Sequence, residues 1–132
     1  MKRVITFGVF DTMHFGHVAL FERAKQLGDF LIVACQDDAY VTKNKPNTKL
    51  INNVSKRLSD VASCASVDLA ISYSQIDLDI KKQDFDILVV GPDQNNEHFV
   101  RAKEWCKRNS KTVVVLPRTE GISSTMIRNQ LK

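Results

Sequence analysis

The sequence predicts an α/β fold in which an open, parallel, five-stranded sheet carries helices on both faces. Short β-branched runs alternate with amphipathic stretches along the chain, which is the pattern of alternating strands and helices. Most of the runs are apolar on both sides, as expected of parallel strands covered by helices. The predicted strands span residues 4–7, 30–35, 69–71, 87–90 and 113–116. At 132 residues the chain has the length of one domain, so a single domain over 1–132 is expected.

Helices are predicted between these strands. Residues 17–27 place apolar side chains at helical spacing, and Gly28 is the expected C-cap. Further helices are predicted over 53–65 and 97–109. A final helix is predicted over 124–131, because hydroxyl side chains at its start can cap exposed backbone amides.

Composition excludes several classes of protein. A content of 43% hydrophobic and 26% charged residues is that of an ordinary globular chain. Three widely spaced cysteines without a C-x-x-C pair indicate neither a disulfide scaffold nor a structural zinc site, and they favour a cytoplasmic setting. No apolar run approaches the roughly 20 residues of a membrane span, so no membrane partner is expected. The net charge of +4 suits anionic small molecules as well as nucleic acid.

The segment that joins the first strand to the first helix carries two histidines. His14 and His17 flank Gly16 at a predicted helix N-terminus, where free amides and the helix dipole favour an anion. Gly8 and Gly16 allow the backbone to approach a ligand closely. The segment therefore predicts a phosphate-binding turn. A zinc site is disfavoured because His98, the remaining histidine, lies on another segment.

A second anion-binding segment follows the last predicted strand. Residues 118–125 read R-T-E-G-I-S-S-T, which combines a guanidinium, a glycine turn and hydroxyls at a helix start. Taken alone, this segment is better explained as a simple helix cap. Parallel topology places it on the same edge of the sheet as the histidine turn and the residues from Gly91 to Asp93. We therefore expect one anion site at that edge.

The two segments resemble signature motifs of a known family. Residues 8–17 resemble the H-x-G-H signature of nucleotidyltransferases, and residues 118–125 resemble the R-T-E-G-I-S-[ST]-T signature of cytidylyltransferases that activate phosphorylated alcohols. The length is similar to that of the small bacterial glycerol-3-phosphate cytidylyltransferases. The resemblance implies a Rossmann-like nucleotidyltransferase fold. It also implies transfer of CMP from CTP to a small phospho-alcohol, with glycerol 3-phosphate as the leading acceptor, for cell-wall or capsule precursors.

The resemblance further implies roles for individual residues. The residues expected to hold or close over the phosphates are the catalytic candidates His14, His17, Lys43, Lys45 and Arg118. The nucleotide-binding candidates are Gly8, Val9, Phe10, Asp11, Gly16, Gly91, Asp93, Thr119, Gly121, Ile122, Ser123, Ser124 and Thr125. Arg57 is expected to bind the acceptor or a phosphate. Closure of the two lysines over the phosphates would be the function of the long irregular stretch predicted between 37 and 52. Mg²⁺ is expected to accompany CTP, and related enzymes imply a homodimer.

Several departures from the family pattern fall on the acceptor side. Val9 replaces a hydroxyl residue, and residues 65–68 read A-S-V-D where R-Y-V-D is typical. No tryptophan lies between residues 72 and 84, and Pro92 and Gln94 also differ from the usual residues. A guanidinium that would recognise a phosphate is thereby lost. Another phospho-alcohol, a phospho-sugar or a phosphonate therefore remains an alternative acceptor.

Three other functions are alternatives to this one. An adenylyltransferase would use ATP, although the R-T-E-G-I-S segment favours the cytidylyl branch. A nucleotide-binding module without catalysis is compatible with the altered acceptor region. A nucleic-acid binder is disfavoured, because the basic residues are interleaved with acids and the aromatics lie mostly in core-forming runs.

Overall fold

The computed structural model describes residues 1–44 and 49–117, and its strands form one parallel sheet. The strands are β1 (Arg3–Gly8), β2 (Phe30–Gln36), β3 (Leu69–Tyr73), β4 (Ile87–Val90) and β5 (Thr112–Val115). They lie in the order β3-β2-β1-β4-β5 and every neighbouring pair is parallel. The predicted five-stranded parallel sheet is confirmed. The predicted helix over 124–131 lies outside the described residues.

Helices cover both faces of this sheet. They are α1 (Phe15–Lys25), α2 (Asp38–Asn44), α3 (Val54–Ala62), α4 (Ile76–Asp79), which continues into a 3-10 helix (Ile80–Lys82), and α5 (Glu97–Arg108). Alternate residues of the strands serve opposite faces: Val4 packs with Phe21 of α1 and Val61 of α3, whereas Ile5 packs with Ile80 and Phe99. In the part of the chain that the structure describes, no helix combines the length and the apolar character needed to cross a membrane.

The first helix begins earlier than predicted, and Gly28 is not its cap. The helix begins at Phe15 because His14 is its N-cap, and its C-cap is Gln26. Gly28 instead lies against the start of β1, where a Cβ would be 2.7 Å from the carbonyl oxygen of Lys2. This glycine is therefore required by close backbone packing rather than by helix termination.

The prediction of an irregular stretch from 37 to 52 is wrong for its first half, which forms α2. The helix is capped by Asp37, whose carboxylate accepts a hydrogen bond from the Tyr40 amide at 2.8 Å. Val41 is buried and anchors the helix to the core. Its β-branched side chain, and that of Thr42 beside it, weaken the helical signal in the sequence.

The direction in which successive strands are added to the sheet changes at β1, between β3 and β4 in chain order. It moves outward from β1 to β2 and β3, then crosses back to add β4 and β5 on the other side. The pairing of β1 with β4 ends at Thr6 and Val89, beyond which the strands part. Open α/β sheets bind ligands in the crevice at such a switch point, at the carboxyl ends of the strands.

Candidate functional site

A cavity of about 440 Å³ opens in the crevice between the ends of β1 and β4. Its walls come from the turn after β1, the first turns of α1, the segment after β4 and the residues that follow β5. The cavity brings together eight of the predicted site residues: Gly8, Val9, Phe10, His14, Gly16, His17, Gly91 and Asp93. The histidine turn and the segment after β4 therefore share one site, as the parallel topology predicted.

The two histidines are held by the backbone of their own turn. The Nδ1 atom of His14 accepts a hydrogen bond from the Gly16 amide at 2.9 Å, and Nδ1 of His17 accepts one from the His14 amide at 3.4 Å. The rings stack with their centroids 4.1 Å apart. Because Nδ1 is an acceptor in each ring, the proton of the neutral imidazole resides on Nε2. Each ring can thus offer an Nε2–H donor to a ligand in the cavity.

Burial is the main reason why the pKa of His17 falls from 6.5 to about 4, and the charge of His14 lowers it further. At physiological pH the His17 imidazole is therefore neutral in the free protein. It can stabilise negative charge through a directed hydrogen bond without carrying a full positive charge itself.

The lowered pKa of His17 predicts a pH dependence of stability. Between pH 6.5 and about 4 the unfolded chain binds a proton at His17 that the folded chain does not. The free energy of unfolding should therefore decrease as the pH falls through this window, and His17 should cause no further loss below it. Urea denaturation from pH 7 to pH 4 measures the effect. His17→Asn should show a shallower decrease, and an identical slope in both proteins would contradict this origin.

Phe10 supports His17 from within the turn. Its ring packs edge-on against the His17 imidazole at 5.5 Å and against Phe21 at 5.3 Å between centroids. The same ring covers Gly8, where a Cβ would lie 2.7 Å from the ring atom Cζ. Only glycine leaves room for this arrangement.

Gln94 and Arg23 are among the cavity-lining residues that were not predicted as site residues from the sequence. The Gln94 amide donates to the carbonyl oxygen of Phe7 at 2.6 Å and accepts from the Gly91 amide at 3.0 Å, so it spans the gap between β1 and β4. Arg23 donates to the carbonyl oxygen of Pro117 at 2.9 Å. The three-residue spacing of His17, Leu20 and Arg23 on α1 is the signal that could have indicated Arg23.

Other predicted site residues lie elsewhere. The carboxylate of Asp11 accepts backbone hydrogen bonds from Ile51 and Asn52, and Lys43 lies over the Tyr40 ring at 5.4 Å. Arg57 is fully buried. These three predicted residues do not line the cavity described above. Lys45 and the predicted residues of the second segment, Arg118, Thr119, Gly121, Ile122, Ser123, Ser124 and Thr125, lie outside the described residues.

The burial of Arg57 bears on its predicted role. Its guanidinium has no exposed surface and donates to acceptors of the chain itself, including the Asp38 carboxylate at 2.6 Å. The structure therefore does not present Arg57 to an anion in the cavity. The expected contact with an acceptor or phosphate stays a prediction, whereas the internal contacts are part of the fold.

The sequence model of the family described as cytidylyltransferase-like matches residues 5–130. The chain belongs to the cytidylyltransferase-like family. Within this family, it is a nucleotidyltransferase, as the two motifs predicted.

Two relatives of this cytidylyltransferase-like protein are similar to it over almost their entire length. The glycerol-3-phosphate cytidylyltransferase of Staphylococcus aureus is 38% identical over 134 residues, which cover 99% of this chain and 96% of the relative. That of Bacillus subtilis is also 38% identical over 134 residues, covering 99% and 98%. The crystal structure of a lipopolysaccharide core biosynthesis protein from Thermoplasma volcanium superposes with a TM-score of 0.72 at 27% identity, covering 90% of this chain and 97% of the other.

Proposed function

We propose that this protein transfers CMP from CTP to a small phosphorylated alcohol, with glycerol 3-phosphate as the leading acceptor, and releases pyrophosphate. The observation that carries the proposal is the histidine turn, which sets two Nε2 donors at the switch point of the sheet. The glycerol-3-phosphate cytidylyltransferases that resemble this chain over nearly its whole length support the choice of nucleotide and acceptor.

The proposed reaction is a direct in-line displacement. A phosphate oxygen of the acceptor attacks the α-phosphorus of CTP and forms a new oxygen–phosphorus bond. The bond from the α-phosphorus to the oxygen that bridges to the β-phosphorus breaks, and that oxygen leaves with pyrophosphate. No covalent enzyme intermediate is involved, so the protein contributes positioning and stabilisation of charge.

His14 and His17 serve this reaction as hydrogen-bond donors. Their Nε2–H groups would contact the α- and β-phosphate oxygens, where negative charge increases as the bond to pyrophosphate breaks. Their Nδ1 atoms are occupied by backbone amides, which fixes the orientation of the rings. The attacking phosphate oxygen is already ionised, so the step needs no general base.

The segment after β4 would recognise the base. The carboxylate of Asp93 is a suitable acceptor for the exocyclic amine of cytosine, and Asp93 lines the cavity with Gly91. The Gln94 side chain holds the Gly91 amide and ties this segment to β1. These two hydrogen bonds hold the segment after β4 against the end of β1.

The described residues do not form a dedicated metal site. Within residues 1–44 and 49–117 there is no group of three or more His, Cys, Asp or Glu side chains arranged to hold a metal ion. Mg²⁺ would accompany CTP and would neutralise charge on its phosphates. No step of the proposed mechanism depends on a protein ligand to the ion.

A different phosphorylated or phosphonylated alcohol is the second candidate acceptor. Residues 65–68 lack the arginine and tyrosine of the family pattern. Asp68 of this segment is used structurally, because its carboxylate accepts from the Leu31 amide at 2.8 Å and pairs with Lys25. The loss of a guanidinium would weaken binding of the acceptor's phosphate.

A substrate panel tests the proposal. The protein with Mg²⁺ is given CTP or ATP and, in turn, glycerol 3-phosphate, phosphocholine, phosphoethanolamine or a hydroxyalkyl phosphonate, while pyrophosphate release is recorded. We expect CTP to be preferred over ATP by about a hundredfold or more, as for a site whose polar groups match one base. Glycerol 3-phosphate should give the highest kcat/KM. Faster turnover of ATP would indicate an adenylyltransferase, and CTP binding without any pyrophosphate would indicate a non-catalytic module.

A further inference from the structure

We propose that Arg57 is a positioning residue of the nucleotidyl-transfer site, which holds the turn after β1 so that Phe10 supports His17. The inference rests on the proposed function and extends it to a residue that does not line the cavity. Its basis is a set of hydrogen bonds to Val9 and Asp11, the neighbours of Phe10, whose backbone conformation is disfavoured.

Arg57 is anchored on three separate segments of the chain. Its Nη1 donates to the carbonyl oxygen of Val9 at 2.8 Å. Its Nε donates to the carbonyl oxygen of Asn52 at 3.2 Å, and its Nη2 to the Asp38 carboxylate at 2.6 Å. A buried cation requires such partners, because burial removes it from water. The guanidinium can therefore influence the cavity only through the segments that it joins.

Asp11 provides a second anchor, two residues after Val9. Its carboxylate accepts from the amides of Ile51 and Asn52 at 2.9 and 2.8 Å. The side-chain amide of Asn52 donates in return to the carbonyl oxygen of Asp11 at 2.7 Å. The turn after β1 is thus tied on both sides of Phe10, at Val9 to Arg57 of α3 and at Asp11 to the segment before α3.

Phe10 lies between these anchors in a left-handed conformation, with a φ of 55°. This conformation is unfavourable for a residue with a large side chain, and it persists only where the surroundings enforce it. Here the hydrogen bonds at Val9 and Asp11 enforce it. The conformation turns the Phe10 ring over Gly8 and against the edge of the His17 imidazole.

A chain of contacts therefore joins a buried cation to a proposed catalytic residue. Arg57 holds the Val9 carbonyl, the held turn sets Phe10, and the Phe10 ring packs against His17. Without the guanidinium the turn can relax, and His17 loses the ring that orients it. Lysine would keep the charge, but its single nitrogen cannot satisfy three acceptors with the geometry of a guanidinium.

Arg57→Lys tests the proposal, with Lys56→Met as the matched control. Lys56 is the preceding residue on α3 and forms an exposed ion pair with Asp60. Arg57→Lys should lower kcat for CTP-dependent pyrophosphate release by about tenfold to a hundredfold, the effect of a small misplacement of a reacting group, with a smaller change in KM. It should also shift the His17 ring resonances in ¹H–¹³C NMR spectra. Lys56→Met should change neither quantity.

A double-mutant cycle with Phe10→Leu tests whether the effect passes through Phe10. The two substitutions should be non-additive in kcat, because each removes the same support of His17. Additive effects would overturn the proposal, as would unchanged His17 resonances in a folded Arg57→Lys protein. A raised KM with unchanged kcat would instead assign Arg57 to direct anion binding. The NMR measurement needs no turnover, so it tests the role of Arg57 even in an inactive protein. If wild-type protein released no pyrophosphate with any acceptor, that result would refute only the proposed function.

Discussion

His14→Asn is expected to lower the rate of nucleotidyl transfer by about a hundredfold or more while leaving the fold intact. The asparagine amide oxygen can occupy the place of Nδ1, accept the Gly16 amide and cap α1, because asparagine is a favoured N-cap. The Nε2 donor, however, disappears with the ring. Loss of one donor to a developing anion costs about a hundredfold to a thousandfold in kcat.

His14→Ala is the matched comparison for this variant. It removes both the cap and the donor, so it should lose the same turnover and in addition about 1 kcal/mol of stability. Pyrophosphate release gives the rate, and thermal or urea unfolding gives the stability. If His14→Asn kept more than half of the wild-type turnover, the Nε2–H group of His14 would have no part in the chemistry.

Gly8→Ala is expected to disturb both stability and activity. The added Cβ would lie 2.7, 2.9 and 3.1 Å from three atoms of the Phe10 ring. The ring has little room to move away, since it also packs against Phe21. In addition, the left-handed backbone of Phe10 restricts where its side chain can lie. Such overpacking costs about 1–3 kcal/mol. Displacement of the ring should also lower turnover by about tenfold or more, because His17 loses its support.

Gly91→Ala is the control for the stability effect. Its Cβ would meet only ordinary contact, with the Gln94 Oε1 atom 3.9 Å away, so we expect a change within about 0.5 kcal/mol. Adding Phe10→Leu to Gly8→Ala should restore part of the lost stability by making room, without restoring activity. Denaturation curves and pyrophosphate release of the variants check both effects. A Gly8→Ala protein as stable and as active as the wild type would show that the ring adapts.

The strands of the fold were predictable because their signals are local. Phe30–Gln36 and Ile87–Val90 are buried on both faces and read as continuous apolar runs. The short helices were not predictable in this way. Ile76 and Ile80 are buried at the spacing of one helical turn, but α4 has only four residues, too few to establish a period.

The histidine turn was predictable for the same reason, whereas the contacts of Gln94 and Arg23 were not. His14, Gly16 and His17 make their hydrogen bonds within three residues of one another. Gln94 and Arg23 instead contact Phe7 and Pro117, which lie 87 and 94 residues away in the sequence. Contacts of that separation depend on strand order and register, which no local pattern contains.

The sequence by itself determined the strand and helix alternation, the capped histidine turn and the family. Only the tertiary structure decided which groups Arg57 contacts. As a residue type it suits anion binding, and its motif position suggested that role. Packing of α3 against the sheet buries it, however, and brings the carbonyl of Val9, 48 residues away, within 2.8 Å of its guanidinium. A buried guanidinium must bond to whatever acceptors the fold supplies, so its contacts follow from three-dimensional neighbours rather than from its position in the chain.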